Sequence, residues 1–138
     1  MPSASQNYET SNVSEYLAAA DITANGFVKY GTVDSTTGNP TVTPCTAITD
    51  VAIGVATVTV SSGQMCRVQT AGVAKVRATA AAISAGDQVM CGAAGRCLTA
   101  AGATAVSQGI AETAAGGTVD EVIPVRLAVP NLKGPANS

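Results

Sequence analysis

The sequence predicts a mainly β protein: a small barrel or sandwich made of two related halves, with a flexible N-terminal arm and an irregular C-terminal tail. Two observations predict this fold. Short runs of alternating apolar and polar residues recur along the chain, separated by turns rich in glycine and serine, which is the pattern of half-buried strands. In addition, two short sequences occur twice in the same order, which indicates an internal duplication.

The alternation is clearest in residues 64–89. In the first run Cys66, Val68 and Thr70 fall on one face and Met65, Arg67 and Gln69 on the other; in the second run Ala74 and Val76 oppose Lys75 and Arg77. Because the turn at Ala71-Gly72 joins the two runs, we expect them to pair as a β-hairpin with one face in water. The rest of the chain is then predicted to pack around this hairpin.

The repeated sequences fall in the two halves of the chain. Residues 20–28 resemble residues 82–89, and Ile53-Gly54-Val55-Ala56 resembles Gln108-Gly109-Ile110-Ala111; a glycine turn and a further strand follow in each half. Alanine-rich β chains produce such echoes by chance. Two echoes in the same order favour a duplicated, pseudo-symmetric fold over chance.

The remaining elements follow from composition and turn residues. Residues 1–17 are predicted to form the arm, residues 18–129 a single β domain and residues 130–138 the tail. Residues 14–20 fit either one or two helical turns or an extended segment. Strands are predicted at residues 27–30, 41–43, 51–60, 88–91, 97–99, 109–113 and 119–127. Pro124 lacks a ladder donor, so the last strand is predicted to lie at an edge or to carry a bulge.

The composition indicates one domain with a thin core. The chain has 138 residues, of which 46% are apolar, but many of these are alanines, and it holds no Trp, one Phe and three Tyr. Because alanine buries little area, association between copies is favoured over a modestly stable monomer.

Charge and hydropathy argue against two classes of partner. The seven basic residues are scattered over a chain of net charge −2 and are not interleaved with aromatic residues, so no nucleic-acid surface is predicted. No run of about 18 apolar residues occurs, so no membrane partner is predicted. The N-terminus lacks the basic and apolar regions of a secretory signal, which predicts synthesis in a cytosol.

The residues that carry chemistry are too few or wrongly placed for catalysis. The chain has no histidine, no Gly-x-Ser-x-Gly elbow and no P-loop, which excludes the usual nucleophile–base pairs. Asp120 and Glu121 are adjacent on a predicted strand and therefore point to opposite faces. We predict that the protein is not an enzyme and has no catalytic residue, metal site or cofactor.

The four cysteines, Cys45, Cys66, Cys91 and Cys97, allow two interpretations. Their spacing does not fit zinc, and no histidine is present to complete a mixed site. In a reducing cytosol they are small buried apolar residues. Alternatively, Cys91 and Cys97 face each other at the neck of a hairpin and form a disulfide after release from a cell.

The motifs follow one order over residues 14–127. They are residues 20–24, Ile53-Gly54-Val55-Ala56, residues 68–76 with Ala71-Gly72-Val73, residues 82–89, and the closing run from Gly109-Ile110-Ala111 to Val125-Arg126-Leu127. In this order the chain resembles a family of small bacteriophage capsid decoration proteins, also called head cement proteins. The segment 34–44 is longer than expected for the family, and the four cysteines are not part of its pattern.

The resemblance implies a structural role in the virion. Proteins of this family are mainly β, commonly form trimers, and sit on the outside of the expanded head at three-fold and quasi-three-fold positions between major-capsid capsomers. There they resist the pressure of packaged DNA. The implied partners are the major capsid protein and further copies of the chain. The implied location is the outer capsid surface, after synthesis in the host cytoplasm.

An ordered N-terminal arm often lies along the shell in this family, and by position residues 1–17 correspond to it here. We hypothesise that Tyr8, Val13, Tyr16 and Leu17 are its apolar anchors on the capsid. An arm that becomes ordered on binding can add a strand to the edge of a capsid sheet.

A different β-rich binding module is the alternative: a phage tail or baseplate domain, or an adhesive module. A glycan-binding module usually presents aromatic platforms, whereas aromatic residues make up only 3% of this chain. A tail component is expected to form rings or fibres. Solution mass and affinity for phage heads separate these alternatives.

Overall fold

The computed structural model describes residues 13–101 and 106–127 and is mainly β, as predicted. Its strands in this part of the chain are β1 (Val13–Ala18), β2 (Gly26–Tyr30), β3 (Thr41–Pro44), β4 (Gly54–Ala56), β5 (Met65–Gln69), β6 (Val73–Arg77), β7 (Gln88–Cys91), β8 (Cys97–Thr99), β9 (Gly109–Ala111) and β10 (Val122–Leu127). A short 3-10 turn at Ala93–Gly95 joins β7 to β8. The predicted tail and residues 1–12 of the predicted arm lie outside the described residues.

The first five strands form a closed barrel, here called barrel 1, in the order β1-β3-β2-β4-β5. Strands β1 and β3 are parallel, with Leu17 opposite Thr41 and Ala18 opposite Val42. The other neighbours in barrel 1 are antiparallel. Closure removes the exposed strand edges that an open sheet would leave.

The last five strands form barrel 2, a sheet in the order β6-β10-β9-β7-β8. Its two outer strands meet through a parallel bridge between Ala78 and Cys97. The N–H of Thr79 donates to the carbonyl of Cys97 at 3.1 Å, as the N–H of Ala19 donates to the carbonyl of Val42 at 2.9 Å. The second sheet therefore closes at the same place as the first.

Some hydrogen bonds outside the strands also recur at equivalent positions of the two barrels. An isolated bridge joins Ile22 to Val60 in barrel 1, and another joins Ile83 to Ala115 in barrel 2. Three residues after each isoleucine, the N–H of Asn25 donates to Ala56 at 2.7 Å and the N–H of Gly86 donates to Ala111 at 2.8 Å. Both donors have positive φ, 66° and 90°. The predicted duplication is thus confirmed in the backbone.

The two barrels bury equivalent interior positions. The cluster inside barrel 1 contains Ala18, Ile22, Val28, Val42, Ala56, Cys66 and Val68. The strand registers place these residues at the positions of Ala78, Ile83, Val89, Cys97, Ala111, Ile123 and Val125, all of which belong to the cluster inside barrel 2. Small and β-branched side chains fill both interiors, because aromatic residues are scarce.

The hairpin predicted at residues 64–89 is wrong. The alternation itself is confirmed, since Cys66, Val68, Ala74 and Val76 are buried. In the described chain, however, β5 pairs with β1 and β4, whereas β6 pairs with β10. A period of two fixes which face of a strand is buried but not which strand lies beside it, and the turn before β6 leads from one barrel to the other.

The last strand is internal, and its ladder with β6 runs through Pro124 without an extra residue, so both predicted alternatives, an edge and a bulge, are wrong. Strand β10 lies between β6 and β9, and Pro124 pairs with Lys75 of β6. The ladder with β9 starts only at Val125, the next residue. The carbonyl of Pro124 still accepts from the N–H of Glu112, just beyond β9, at 2.9 Å. The missing N–H of Pro124 therefore falls at the end of the ladder with β9.

The predicted boundaries of several other elements differ from the structure. The strand predicted at residues 119–127 begins only at Val122, so Asp120 and Glu121 precede it, and the strand predicted at residues 109–113 ends at Ala111. Within residues 51–60 only Gly54–Ala56 form a strand, and Val60 makes the bridge to Ile22. Residues 13–17 of the range predicted as an arm lie in β1, between β3 and β5. Of the helical and extended alternatives for residues 14–20, the structure takes the extended one.

Candidate interaction surfaces

The described residues contain little that fits a chemical site. No three His, Cys, Asp or Glu side chains in residues 13–101 and 106–127 come close enough to hold a metal ion. A crevice between the barrels, beside Phe27 and Gln108, has a volume of about 20 Å³, which holds one water molecule. Its Gln108 side chain bonds the backbone of Asp50 and Ala52. The candidate functional features of the described residues are therefore exposed surfaces.

Within residues 13–101 and 106–127, no helix is both long enough and apolar enough to cross a bilayer.

Arg77 links the two barrels at their junction. Its Nε donates to the carbonyl of Ala24 at 3.0 Å, its Nη2 to the carbonyl of Ala94 at 2.8 Å and its Nη1 to Asp120 at 3.2 Å. Its backbone N–H donates to Asn25 at 2.8 Å. The alternation placed Arg77 on a face in water, which is wrong: the residue is 8% exposed because barrel 1 covers the end of β6.

Asp120 joins Arg77 to a second arginine. Its Oδ1 accepts from Arg96 Nε at 2.7 Å, and its Oδ2 accepts from Arg96 Nη2 at 3.4 Å. The hydrogen bond from Arg96, followed by that from Arg77, holds the pKa of the Asp120 carboxyl below its usual value. Asp120 has a φ of 68°, a conformation that Asp and Asn adopt more readily than most residues.

The four cysteines are buried and free. Cys91 lies opposite Cys97 in the β7–β8 ladder, so the predicted hairpin neck is present. The Cys91 thiol donates to the carbonyl of Gly92 at 3.5 Å. The neighbouring thiol of Cys45 from barrel 1, followed by burial, raises the pKa of Cys91. Burial raises the pKa of Cys97 to about 11. Three cysteines therefore meet near the junction, while Cys66 lies inside barrel 1.

Three of the four predicted capsid anchors lie in β1. Tyr16 packs against the interior cluster of barrel 1, Leu17 pairs with Met65, and Val13 pairs with Gln69. All three are half-buried. Tyr8 lies outside the described residues. The structure thus brings Val13, Tyr16 and Leu17 onto one strand without assigning them a partner.

Tyr16 meets a residue that the sequence analysis did not select. Its ring stands edge-on to that of Tyr30, with centroids 5.8 Å apart and planes at 80°. A hydrogen bond with Tyr16, and then burial, raises the pKa of Tyr30, although Tyr30 is 56% exposed. We call this pair the tyrosine end of barrel 1. The strand registers make the buried Cys91 of barrel 2 the equivalent of Tyr30.

A second exposed surface lies on barrel 2, where Gln88, Ala100 and Ile110 meet. Gln88 pairs with Ile110 in the β7–β9 ladder, and the N–H of Ala100 donates to the carbonyl of Gln88 at 2.7 Å. Ile110 is 44% exposed, and Gln88 is exposed as well. We call this surface the Ile110 face.

Comparison with solved structures shows what the fold is similar to. The N base of head fiber gp8.5 of bacteriophage phi29 matches with a TM-score of 0.68 and 16% sequence identity, over 88% of this chain and 97% of that one. At this identity the match shows a shared fold. Comparison with curated proteins gave no match.

Comparison with family models identifies the family. The model of a family described as phage cement protein matches residues 8–127, which includes both barrels, the junction and the two exposed surfaces. With a match over most of its length, this chain belongs to the phage cement protein family, a family of structural phage proteins.

Proposed function

We propose that this protein is a capsid decoration protein that binds the outside of the mature phage head and stabilises it against the pressure of packaged DNA. The family match over residues 8–127 carries the proposal. The proposed sites are the three-fold and quasi-three-fold positions between capsomers, and the proposed partner is the major capsid protein. The proposed role requires a rigid body and no catalysis.

A homotrimer is the proposed assembly. Its weak contacts with several capsid subunits would act together, so that the overall affinity exceeds that of any single contact. The thin interiors of both barrels support association, because small side chains bury little area within one chain.

The N-terminal segment is proposed as the part that reaches along the shell, with Tyr8 as an apolar anchor and Val13, Tyr16 and Leu17 continuing it. Since β1 belongs to barrel 1, a deletion of residues 1–17 would remove a strand and unfold the barrel. Deleting residues 1–12 leaves every described strand in place. We expect this truncation to fold and to bind heads more weakly; unchanged binding would show that residues 1–12 are not an anchor.

The central experiment is co-sedimentation with heads from the source phage that have been stripped of this protein, in unexpanded and expanded forms. We expect saturable binding to expanded heads, in multiples of three copies at fixed sites. Treated heads should then retain DNA at a higher temperature than stripped heads. Absence of binding to both forms would overturn the proposal in favour of a tail or adhesive module.

A further inference from the structure

Barrel 1 covers one end of barrel 2. Phe27, Cys45 and Val55 project from barrel 1 and are buried in one cluster with Val76 and Cys91 of barrel 2. Phe27 and Val55 are each 1% exposed. The junction therefore consists of one bulky surface on barrel 1 and one recessed end on barrel 2.

Each side of this junction has an equivalent on the other barrel. The cross-strand pairs show the equivalence. Tyr16 pairs with Cys66 in barrel 1 as Val76 pairs with Ile123 in barrel 2. In the same way, Tyr30 pairs with Val42 as Cys91 pairs with Cys97. The pair Phe27 with Val55 corresponds to Gln88 with Ile110, and the hydrogen bond from Cys45 to Phe27 corresponds to that from Ala100 to Gln88. The covered end of barrel 2 thus corresponds to the tyrosine end, and the covering surface corresponds to the Ile110 face.

The sizes of the side chains are complementary in both cases. At the junction the covering surface carries Phe27 and Val55 and the covered end carries Val76 and Cys91, so the one aromatic ring lies on the covering surface. At the two exposed surfaces the aromatic rings lie on the other side of the contact. The tyrosine end carries the rings of Tyr16 and Tyr30, and on the Ile110 face only Ile110 is a large apolar residue. A contact between the tyrosine end and the Ile110 face would bury a side-chain volume comparable to that buried at the junction.

We propose that copies of the protein associate head to tail, with the tyrosine end of one copy seated on the Ile110 face of the next. The inference rests on the proposed function, because it assigns the contact that holds the proposed trimer. It also places Tyr16 in the contact between copies, which leaves Tyr8, Val13 and Leu17 as the proposed capsid anchors. The two sides of the contact come from different barrels, so it is heterologous, and a heterologous contact that closes forms a ring. Three copies would place six similar barrels in that ring.

The test uses two variants of the full chain, Tyr30→Asp and Ile110→Asp, each of which blocks one side of the contact with a charge that would be buried. Sedimentation equilibrium should give three times the 13.5 kDa chain mass for wild type and one chain mass for each variant alone. An equimolar mixture should form dimers, because the Ile110→Asp chain keeps its tyrosine end and the Tyr30→Asp chain keeps its Ile110 face. Those dimers cannot extend, since both remaining surfaces carry Asp.

Matched controls are Met65→Asp and Val119→Asp, both 52% exposed in wild type. Met65 corresponds to Val122 of barrel 2, and Val122 stays 42% exposed although it lies beside the junction. A charge at Met65 should therefore not block the contact, and both control variants should keep the wild-type mass. Formation of dimers in the mixture also shows that both blocked variants are folded. A monomeric wild type, a trimeric Ile110→Asp variant, or a mixture that stays monomeric would each overturn the proposal.

Head binding is measured separately on the same variants. If wild type binds expanded heads while Ile110→Asp binds to the same sites more weakly, both proposals hold. If wild type is trimeric by the tested contact but binds no heads, the proposed function fails and the contact stands. If wild type binds heads and the mixture forms no dimer, the contact fails and the proposed function stands.

Discussion

Gly54 and Gly109 occupy the same position in their two barrels, and each lies against the backbone of the neighbouring strand. A Cβ on Gly54 would lie 2.3 Å from the carbonyl oxygen of Gln69, and a Cβ on Gly109 would lie 2.3 Å from that of Arg126. The repeated Gly-Val-Ala and Gly-Ile-Ala sequences thus share one physical cause, a strand approach too close for any side chain.

Replacing either glycine by alanine should destabilise the protein by about 2 kcal/mol, because the strand pair must separate to admit the methyl group. Gly116→Ala is the matched control, since its nearest neighbour would be Glu121 Oε1 at 3.8 Å. Urea unfolding of the three variants measures the difference. Equal stability of Gly54→Ala and Gly116→Ala would contradict the close approach.

Arg77→Leu should loosen the junction between the barrels. Leucine is the residue at the equivalent position of barrel 1, Leu17, but here it would leave the carbonyls of Ala24 and Ala94 without their donor. We expect a loss of about 2 kcal/mol, measured by urea unfolding. Arg67→Leu, at an exposed position of β5, should change stability by less than about 0.5 kcal/mol.

Asp120→Asn should make stability less dependent on acid pH. The pKa of Asp120 is lowered in the folded state, so its stabilising effect is complete above the unfolded pKa of about 3.9 and is lost as pH falls through the lower folded value. Wild type should therefore have the higher Tm at neutral pH, and the two Tm values should converge in acid. Asn also tolerates the φ of 68°, so the substitution adds no backbone strain; it removes the charge and one of the two acceptor oxygens that the arginines use. A Tm difference that stays constant with pH would exclude the role of the charge.

The thiols should react slowly in the native state. Burial raises the pKa of Cys66 and of Cys97, the latter to about 11, so little thiolate is present near neutral pH. We expect alkylation of all four cysteines within seconds in urea but over hours in buffer. Rapid labelling of Cys66 in the native protein would show that barrel 1 opens readily.

The disulfide between Cys91 and Cys97 stays a prediction. The two residues are cross-strand partners, and Cys45 offers Cys91 a second partner through the contact of their thiols. After oxidation with oxygen, peptide mapping without reduction should detect Cys91 joined to Cys97, and Cys45→Ser should not reduce its yield. Detection of a disulfide between Cys45 and Cys91 instead would contradict this prediction and would show that a crosslink joins the two barrels.

The sequence predicts the strand faces and the duplication because both depend on local spacing. Cys66, Val68, Ala74 and Val76 are buried as the alternation requires, and Ile22 and Ile83 mark equivalent turns. The partner of each strand is not local information. The chain leaves barrel 1 at Gly72, which has a φ of 85°, and this single turn separates two strands that the pattern alone would pair.

The junction was not predictable for the same reason. Alternation correctly gives the direction in which Arg77 points, but it does not reveal that barrel 1 lies there. The difference between Tyr30 and Cys91 is visible only when the halves are aligned residue by residue. Such an alignment needs the strand registers, since the segment after β2 is longer than its counterpart after β7.

The strand pairing and the interior of barrel 1 do not draw on barrel 2, whereas the interior cluster of barrel 2 includes residues of barrel 1. Every strand pair of barrel 1 forms within residues 13–69, and its interior cluster draws on those residues alone. Barrel 2 includes Phe27, Cys45 and Val55 in its cluster. We therefore expect that barrel 1 can close during synthesis before barrel 2 has left the ribosome, and that barrel 2 then folds against its surface.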